Sequence, residues 1–358
     1  MDEFRLELSK IGVDVRDYPD LELFLLDYNQ IECIKDHPVV IECRGLIMSY
    51  KGDIVRKGYD RFFNLGEVGV SEFDFENSIT FEKADGSLCF IYFCPQTDKW
   101  EIGTRGTAFA EGNNDWYGTF RGFFLNAMGR TEEEFQSDCA YLDKDRTHLF
   151  EGVGPDNRIV RPYKTNHLVE LGQVNNITGE ESLPDNSQPS FYELTLGWNV
   201  KHLEQYSFNT KEECMIALEA LTGLKEGYVV YNKLTGKRVK IKNAVYLAAH
   251  RLRGNGLTVN AICELVVINE VSEYLSVFPE DAHRFDRAIE MFGWMTTKLE
   301  SDYNKFKHIE DQKEFALQVK DLELSGVIFK ARKTGNDVIH EFNSFPVNKR
   351  ADWLKERL

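Results

Sequence analysis

The hydrophobic pattern of this chain changes period near residue 245, and that change limits the folds open to it. From about residue 38 to 245, short apolar or alternating runs are punctuated by Gly, Asn and Asp. They are Val39 to Ile41, Leu46 to Ser49, Ile54 to Arg56, Ile79 to Phe81, Leu88 to Phe93, Trp100 to Thr104, His148 to Val153, His167 to Leu171 and Tyr228 to Tyr231. Runs of this length between turn formers predict strands of antiparallel or mixed sheets. Asn114 to Met128 and Lys211 to Leu221 carry helical spacing inside that region, and Thr178 to Ser190 has the composition of a surface loop. Beyond 245 the pattern is helical, over Val245 to Arg253, Leu257 to Ile268, Asp281 to Phe306, Asp311 to Leu322 and Val347 to Leu358. Asp281, two residues after Pro279, is the expected N-cap of the longest of these. The expected fold class is α+β: residues 1–245 form antiparallel and mixed sheets with flanking helices, and residues 246–358 an all-α C-terminal domain.

A chain of 358 residues that is 42% hydrophobic and 13% aromatic can bury two substantial cores. No run of about 18 apolar residues occurs, and the start, Met1-Asp2-Glu3-Phe4-Arg5, lacks the basic and apolar regions of a signal peptide, so a soluble cytoplasmic protein without a membrane partner is expected. Seven cysteines, Cys33, Cys43, Cys89, Cys94, Cys139, Cys214 and Cys263, are scattered without a C-x-x-C pair, which argues against a disulfide framework or a structural zinc site. A formal net charge of −16 argues against coating nucleic acid by bulk electrostatics. It leaves room for a local basic groove. Lys237, Arg238, Lys240, Lys242, Arg251 and Arg253 crowd into one segment, while Glu132-Glu133-Glu134 and Glu180-Glu181 lie elsewhere.

The stretch Glu82-Lys83-Ala84-Asp85-Gly86-Ser87 lies between two predicted strands. Asp85-Gly86 is a tight-turn signal, and read alone the segment is an ordinary exposed hairpin. Its other reading is a nucleophilic lysine at the rim of a sheet. An ammonium near its usual pKa of about 10.4 is a poor nucleophile at neutral pH, so such a lysine needs neighbours that favour the free amine. Lys237 to Lys242 reads as the second strand of a hairpin after Tyr228 to Tyr231, and alternation puts Lys240 and Lys242 on one face with Val239 and Ile241 on the other. Two ammonium groups on one face suit a triphosphate and would lower the pKa of a nearby Lys83. They equally suit a solvated edge strand.

Glu151 closes the run His148-Leu149-Phe150-Glu151, and Glu226 precedes Gly227-Tyr228. Carboxylates at strand ends can reach a ribose hydroxyl or a hydrated magnesium ion, or can be surface acids. Gly154 to Val160 has turn chemistry. Arg44, Arg61 and Arg105 add guanidinium groups suited to phosphate, and Phe62 and Phe63 beside Arg61 are expected in the core.

Taken in order, these segments resemble the covalent nucleotidyltransferase superfamily and, within it, the T-even phage RNA ligase 1 family. The residues that carry the resemblance are Glu42 to Gly45, Phe62 to Asn64, Lys83 to Ser87, Phe150 to Val160, Glu226 to Val229, and Lys240 to Lys242 followed by Tyr246 and His250. Leu88 stands where DNA ligases and capping enzymes usually carry arginine, five positions after the lysine, which favours the RNA ligase branch. The tail lacks the glycine-punctuated strands of an OB domain. The resemblance implies an ATP-dependent RNA ligase with an adenylyltransferase domain over 1–245. Lys83 would take AMP from ATP, pass it to an RNA 5′-phosphate, and a 3′-hydroxyl would then seal the strand. By the same resemblance Lys83, Lys240 and Lys242 are catalytic. Glu82, Lys83, Arg44, Arg61, Arg105, Glu151, Glu226, Lys240 and Lys242 bind the nucleotide, and Glu151 and Glu226 serve the metal, Mg2+ or Mn2+. It implies RNA repair on ends of that kind, transfer RNA among them, by a monomer, in the host cytoplasm should the chain be viral. A GTP-dependent capping-type transferase and a non-catalytic RNA-end-binding protein are the alternatives.

Overall fold

In the computed structural model, residues 2–29, 33–67, 73–222, 224–243, 246, 257–269, 271, 274–275 and 278–358 are described. The chain divides into two compact units, 1–247 and 248–358. Helix α1 (Asp2–Lys10) precedes a four-stranded sheet, β1 (Val13–Tyr18), β2 (Leu23–Tyr28), β3 (Arg44–Ser49) and β4 (Ile54–Arg56), paired in chain order, with α2 (Pro38–Glu42) between β2 and β3. Strands β5 (Phe63–Asn64), β6 (Ser78–Glu82), β7 (Ser87–Cys94) and β8 (Lys99–Gly103) follow, then the small hairpin β9 (Asn113–Asn114) and β10 (Gly118–Thr119). After α3 (Phe120–Met128) and α4 (Glu132–Asp138) come β11 (Arg146–Val153), β12 (His167–Asn175), β13 (Glu181–Ser182), α5 (Phe191–Leu194), β14 (Val200–Lys201), β15 (Gln205–Tyr206), α6 (Lys211–Glu219), β16 (Gly227–Asn232) and β17 (Arg238–Lys242).

Two further sheets form the body of this unit. One has the order β13-β12-β11-β7-β8 with β14 parallel to β12, and the other the order β15-β6-β16-β17-β5. Strand β7 is buried on both faces. Its alternation sends Cys89 and Ile91 into a core with Phe123, Phe124, Phe135 and Trp198, and Phe90 and Tyr92 into a second core with Leu23, Leu25, Ile47 and Val55. In the five-stranded sheet, Tyr228, Val230, Val239 and Ile241 pack with Cys214 and Leu218 of α6. The opposite face of that sheet is left to the site. All seven cysteines are free and buried.

Three expectations are corrected. Val39 to Ile41 lies in α2, not a strand: Pro38 occupies the first helical turn, where its missing N–H costs nothing. The helix expected from Asn114 starts at Phe120, because the Asn114 side chain accepts from the backbone N–H of Trp116 and Tyr117 and builds a turn instead. Thr119 then caps the helix by accepting from Gly122 N. Asp281 is not the N-cap of the long helix. It sits in a 3-10 helix, Pro279–Arg284, and accepts from the Tyr274 hydroxyl at 2.6 Å, while the helix begins at Asp286.

The second unit contains α7 (Val259–Val267), α8 (Asp286–Phe306), α9 (Gln312–Val319), α10 (Ser325–Thr334), α11 (Val338–Asn343) and α12 (Val347–Lys355), and no strand among its described residues. Asp311 caps α9 through its carboxylate on Glu314 N. Helices α10 and α11 were not expected from the sequence. The helix expected at Val245 to Arg253 lies outside the described residues except for Tyr246, as do His250, Arg251 and Arg253.

Candidate active site

Strands β6 and β7 belong to different sheets, so Lys83–Gly86 is a crossover between sheets and not the turn of a hairpin. The crossover is held at both ends. Lys83 N donates to Gly227 O at 2.8 Å, extending the β6–β16 ladder by one residue. Asp85, only 2% exposed, accepts from Val160 N at 2.9 Å, Arg161 N at 2.7 Å and the Tyr246 hydroxyl at 2.7 Å. Gly86 approaches the neighbouring strand so closely that a Cβ there would lie 2.3 Å from Gly152 O.

The register across the five-stranded sheet aligns the lysines. Phe81 faces Val229, which faces Lys240; Gly227 faces Lys242, and Lys83 continues that row on the other side. Lys83, Lys240 and Lys242 therefore share the face opposite the α6 core, and all three line one cleft of about 800 Å3. Gly227 has a φ of +141°, and a Cβ on it would lie 2.0 Å from Ile241 O, so the backbone there is open only to glycine. This kink lets Glu226 reach both lysines of the row. Its Oε2 accepts from Lys83 Nζ at 2.7 Å and its Oε1 pairs with Lys242 Nζ at 2.8 Å, with the carboxylate 3% exposed.

The charge balance of the cleft departs from that of the whole chain. Among the described residues, eight basic and three acidic ones line it, and of the acidic ones Glu82 has its carboxylate engaged by Arg161 and Lys225. The Lys240 amine has no hydrogen bond or carboxylate partner among the described residues; burial together with Lys242, Lys83 and Arg44 pulls it down to about 8. Lys83 behaves oppositely, and the expectation that its neighbours would lower its pKa is corrected. Burial does pull it down, but the carboxylates of Glu226 and Glu151 outweigh burial and hold the amine above its ordinary value. Glu226 is itself held below the usual carboxylate range, because Lys83 and Lys242 outweigh its burial. Glu151 is half-buried, its carboxylate has no hydrogen-bond partner among the described residues, and the loss of solvent around it pushes it up to about 7, against the pull of Lys83.

Three arginines line the same cleft as the lysines. Arg61 and Arg105 lie against the Tyr28 ring, at 4.2 and 4.6 Å from its centre. Arg105 Nε donates to Asp27 at 2.8 Å, and Arg61 Nη1 donates to Cys33 Sγ at 2.8 Å. Arg44 lies over the Phe62 ring at 5.3 Å and has no carboxylate partner among the described residues. Phe62 and Phe63, expected in the core, are half-buried and line the cleft beside these cations.

Glu82 points the other way. It pairs across the sheet with Tyr228, whose ring lies in the α6 core, and its carboxylate meets Arg161 Nη1 and, at 2.6 Å, Lys225 Nζ. Glu82-Lys83 and Lys225-Glu226 thus form two crossed ion pairs, Lys83 with Glu226 and Lys225 with Glu82. Sequence reasoning missed Arg161, Lys225 and the buried Arg56. The adjacent charge reversal in Glu82-Lys83 and Lys225-Glu226 was a readable signal for the first pair, but only once the two strands were known to be neighbours.

For a divalent cation, no group of three or more His, Cys, Asp or Glu side chains among the described residues could hold one. Both Glu226 oxygens are engaged by ammonium groups. These residues do not form an all-protein cage for a resident ion. Magnesium usually keeps its waters and binds through phosphate oxygens plus one or two carboxylates.

Against known proteins, a family model described as RNA ligase matches residues 42–246. A protein of Autographa californica nuclear polyhedrosis virus, whose name describes a bifunctional polynucleotide kinase/RNA ligase, is 35% identical over 286 residues, 76% of this chain; the chain spans 40% of that relative's length. An RNA ligase of Rhodothermus phage RM378 is 23% identical over 92% of this chain and 89% of its own. Among solved structures, an archaeal ATP-dependent RNA ligase aligns with a TM-score of 0.48 at 14% identity, covering 96% of this chain and 78% of its own, a distance at which it does not bear on function.

Proposed function

Because this chain belongs to the RNA ligase family, we propose that it is an ATP-dependent RNA ligase working through a covalent lysyl-AMP on Lys83. The observation that carries the reading is the cationic row: Lys83 and Lys242 share one carboxylate, Lys240 has none, and all three face a cleft large enough for a nucleotide. The unbalanced positive charge calls for a polyanion. In the first step, Lys83 Nζ bonds to the α-phosphorus of ATP, the bond to the β-phosphate oxygen breaks, pyrophosphate leaves and Nζ loses a proton. Lys240 and Lys242 stabilise charge on the leaving pyrophosphate. Glu226 Oε2 is the nearest acceptor for the Nζ proton. In the second step a 5′-phosphate oxygen of RNA attacks the same phosphorus and the N–P bond breaks, freeing Lys83. In the third, a 3′-oxygen attacks the activated 5′-phosphorus and AMP leaves.

Arg44, Arg61 and Arg105 hold phosphates of the nucleotide or of the RNA end. The divalent ion enters with ATP as part of the substrate, consistent with the sparse carboxylate set; Glu151 is the side chain best placed to meet its waters or the ribose. Glu82 acts from the far face, holding the strand end that carries Lys83. Substrate RNAs carry a 5′-phosphate and a 3′-hydroxyl, with broken transfer RNA among them. We take the working unit to be a monomer. Pulse-chase labelling tests the scheme. Protein labelled with α-32P ATP, isolated and chased with 5′-phosphorylated RNA, is expected to pass label to the RNA end and then release it as AMP on sealing. Labelling by GTP instead of ATP would favour a capping-type transferase, and RNA binding with no labelling at all would leave only an end-binding protein.

A further inference from the structure

The hairpin of β9 and β10 grows from the wall of the cleft. Gly112 and Phe120, which line the cleft, close its base through Phe120 N to Gly112 O at 2.8 Å, and the Gly118–Asn114 and Thr119–Asn113 pairs follow. Its tip presents Trp116, 70% exposed, whereas Trp100 and Trp198 in the same unit are buried. Single exposed hydrophobic residues are common on mobile loops and ask for no explanation. This one stands on a fixed support. The buried Asn114 accepts from the N–H of Trp116 at 3.1 Å and of Tyr117 at 3.0 Å, and donates to Asp156 O at 3.3 Å. The Tyr117 hydroxyl donates to Asp156 Oδ2 at 2.9 Å and accepts from Asn166 Nδ2 at 3.2 Å. The neighbouring Asn157 donates to Ser87 Oγ at 3.1 Å and to Gly152 O at 2.8 Å, which ties the hairpin to the segment carrying Lys83.

We propose that this hairpin is a stacking platform for RNA, with the Trp116 ring lying against a base of the single strand whose end occupies the cleft. The proposal rests on the RNA ligase reading of that cleft. At about 3.4 Å per residue the tip stands roughly 10 Å from the hairpin base at the cleft wall. An aromatic face held rigidly takes any base without sequence preference. The segment that supports the hairpin carries a cation for the strand's phosphates: Lys164, two residues before the Asn166 that holds Tyr117, is exposed and has no carboxylate partner among the described residues. An exposed indole next to a cationic cleft in a chain of net charge −16 fits a single-stranded polyanion with bases turned outward.

The test uses the full chain and 5′-phosphorylated single-stranded RNA carrying one photoreactive pyrimidine at successive positions, without ATP. Crosslinks to the Trp116 peptide are expected at one or two adjacent positions only. In parallel, Trp116→Ala should raise the KM for RNA joining about tenfold, as expected for loss of one base stack, and Trp116→Phe should recover most of it. Lysyl-AMP formation by Trp116→Ala at the wild-type rate shows that the fold is intact. An unchanged KM in Trp116→Ala, or crosslinks that miss Trp116, overturns the proposal while the ligase reading stands. Absence of lysyl-AMP in the wild type overturns the ligase reading, and the crosslink pattern, which needs no ATP, still decides whether the hairpin binds RNA.

Discussion

At the scale of single residues, the site is organised by how few carboxylates serve its cations. Lys83 is held protonated by Glu226, so the rate of its adenylation should climb with pH as the free amine becomes available. Lys240 opposes that climb. With its amine pulled down to about 8, it sheds its charge as pH rises through that value, and triphosphate affinity weakens. The rate constant at low ATP should therefore rise below pH 8 and flatten above it. Lys240→Arg keeps its charge throughout, and its profile is predicted to continue rising; the same break near 8 in that variant would contradict the assignment. Glu151 gives a stability test. Its pKa of about 7 lies above the ordinary carboxylate value, so the stabilisation it contributes is present below about 4.5 and is lost as pH rises through 7. Glu151→Gln should consequently melt higher than the wild type at pH 8 and lose that advantage by pH 5. Strand alternation made Lys240 and Lys242 legible as a same-face pair in the sequence. The direction of the Lys83 shift was not legible, because it depends on a carboxylate 143 residues away.

At the scale of elements, Arg56 shows what holds two of the cleft's arginines in place. It is fully buried, donates through Nε and Nη2 to Gly45 O at 3.0 and 2.7 Å and through Nη1 to Thr107 O at 3.2 Å, and lies over Phe90 at 4.3 Å. It thereby ties the start of β3, which carries Arg44, to the turn that carries Arg105. Arg56→Met would remove two guanidinium donors from Gly45 O and one from Thr107 O, which keeps its bond from Thr104 N, and a loss of about 2–4 kcal/mol in denaturant unfolding is expected, with a higher KM for ATP. Unchanged stability would mean that the clamp is idle. Gly227 is the corresponding point for the lysines. Gly227→Ala has to displace Ile241 O or the strand, and loss of adenylation is predicted with Glu226 pulled from Lys83. Local turn chemistry explains what sequence reading got wrong here. The Asn114 side chain satisfies two backbone donors, which ends a helical pattern that its hydrophobic spacing would otherwise support.

At the scale of the molecule, the change of period near residue 245 anticipated sheets followed by a helical C-terminal region. The pairing of those sheets could not be read in advance. β6 lies between β15 and β16, and β7 between β8 and β11, so consecutive strands around Lys83 are built into separate sheets by partners far along the chain. That separation makes Lys83–Gly86 a bridge at the cleft floor where the sequence alone allowed a surface hairpin. The central claim is that the amine of Lys83 becomes covalently joined to AMP. Mass spectrometry of the protein incubated with ATP and magnesium, digested under conditions that preserve phosphoramidates, measures this directly. The expected result is one AMP adduct on the peptide containing Lys83, absent in Lys83→Ala; an adduct on any other residue, or none while the protein still joins RNA, would contradict it.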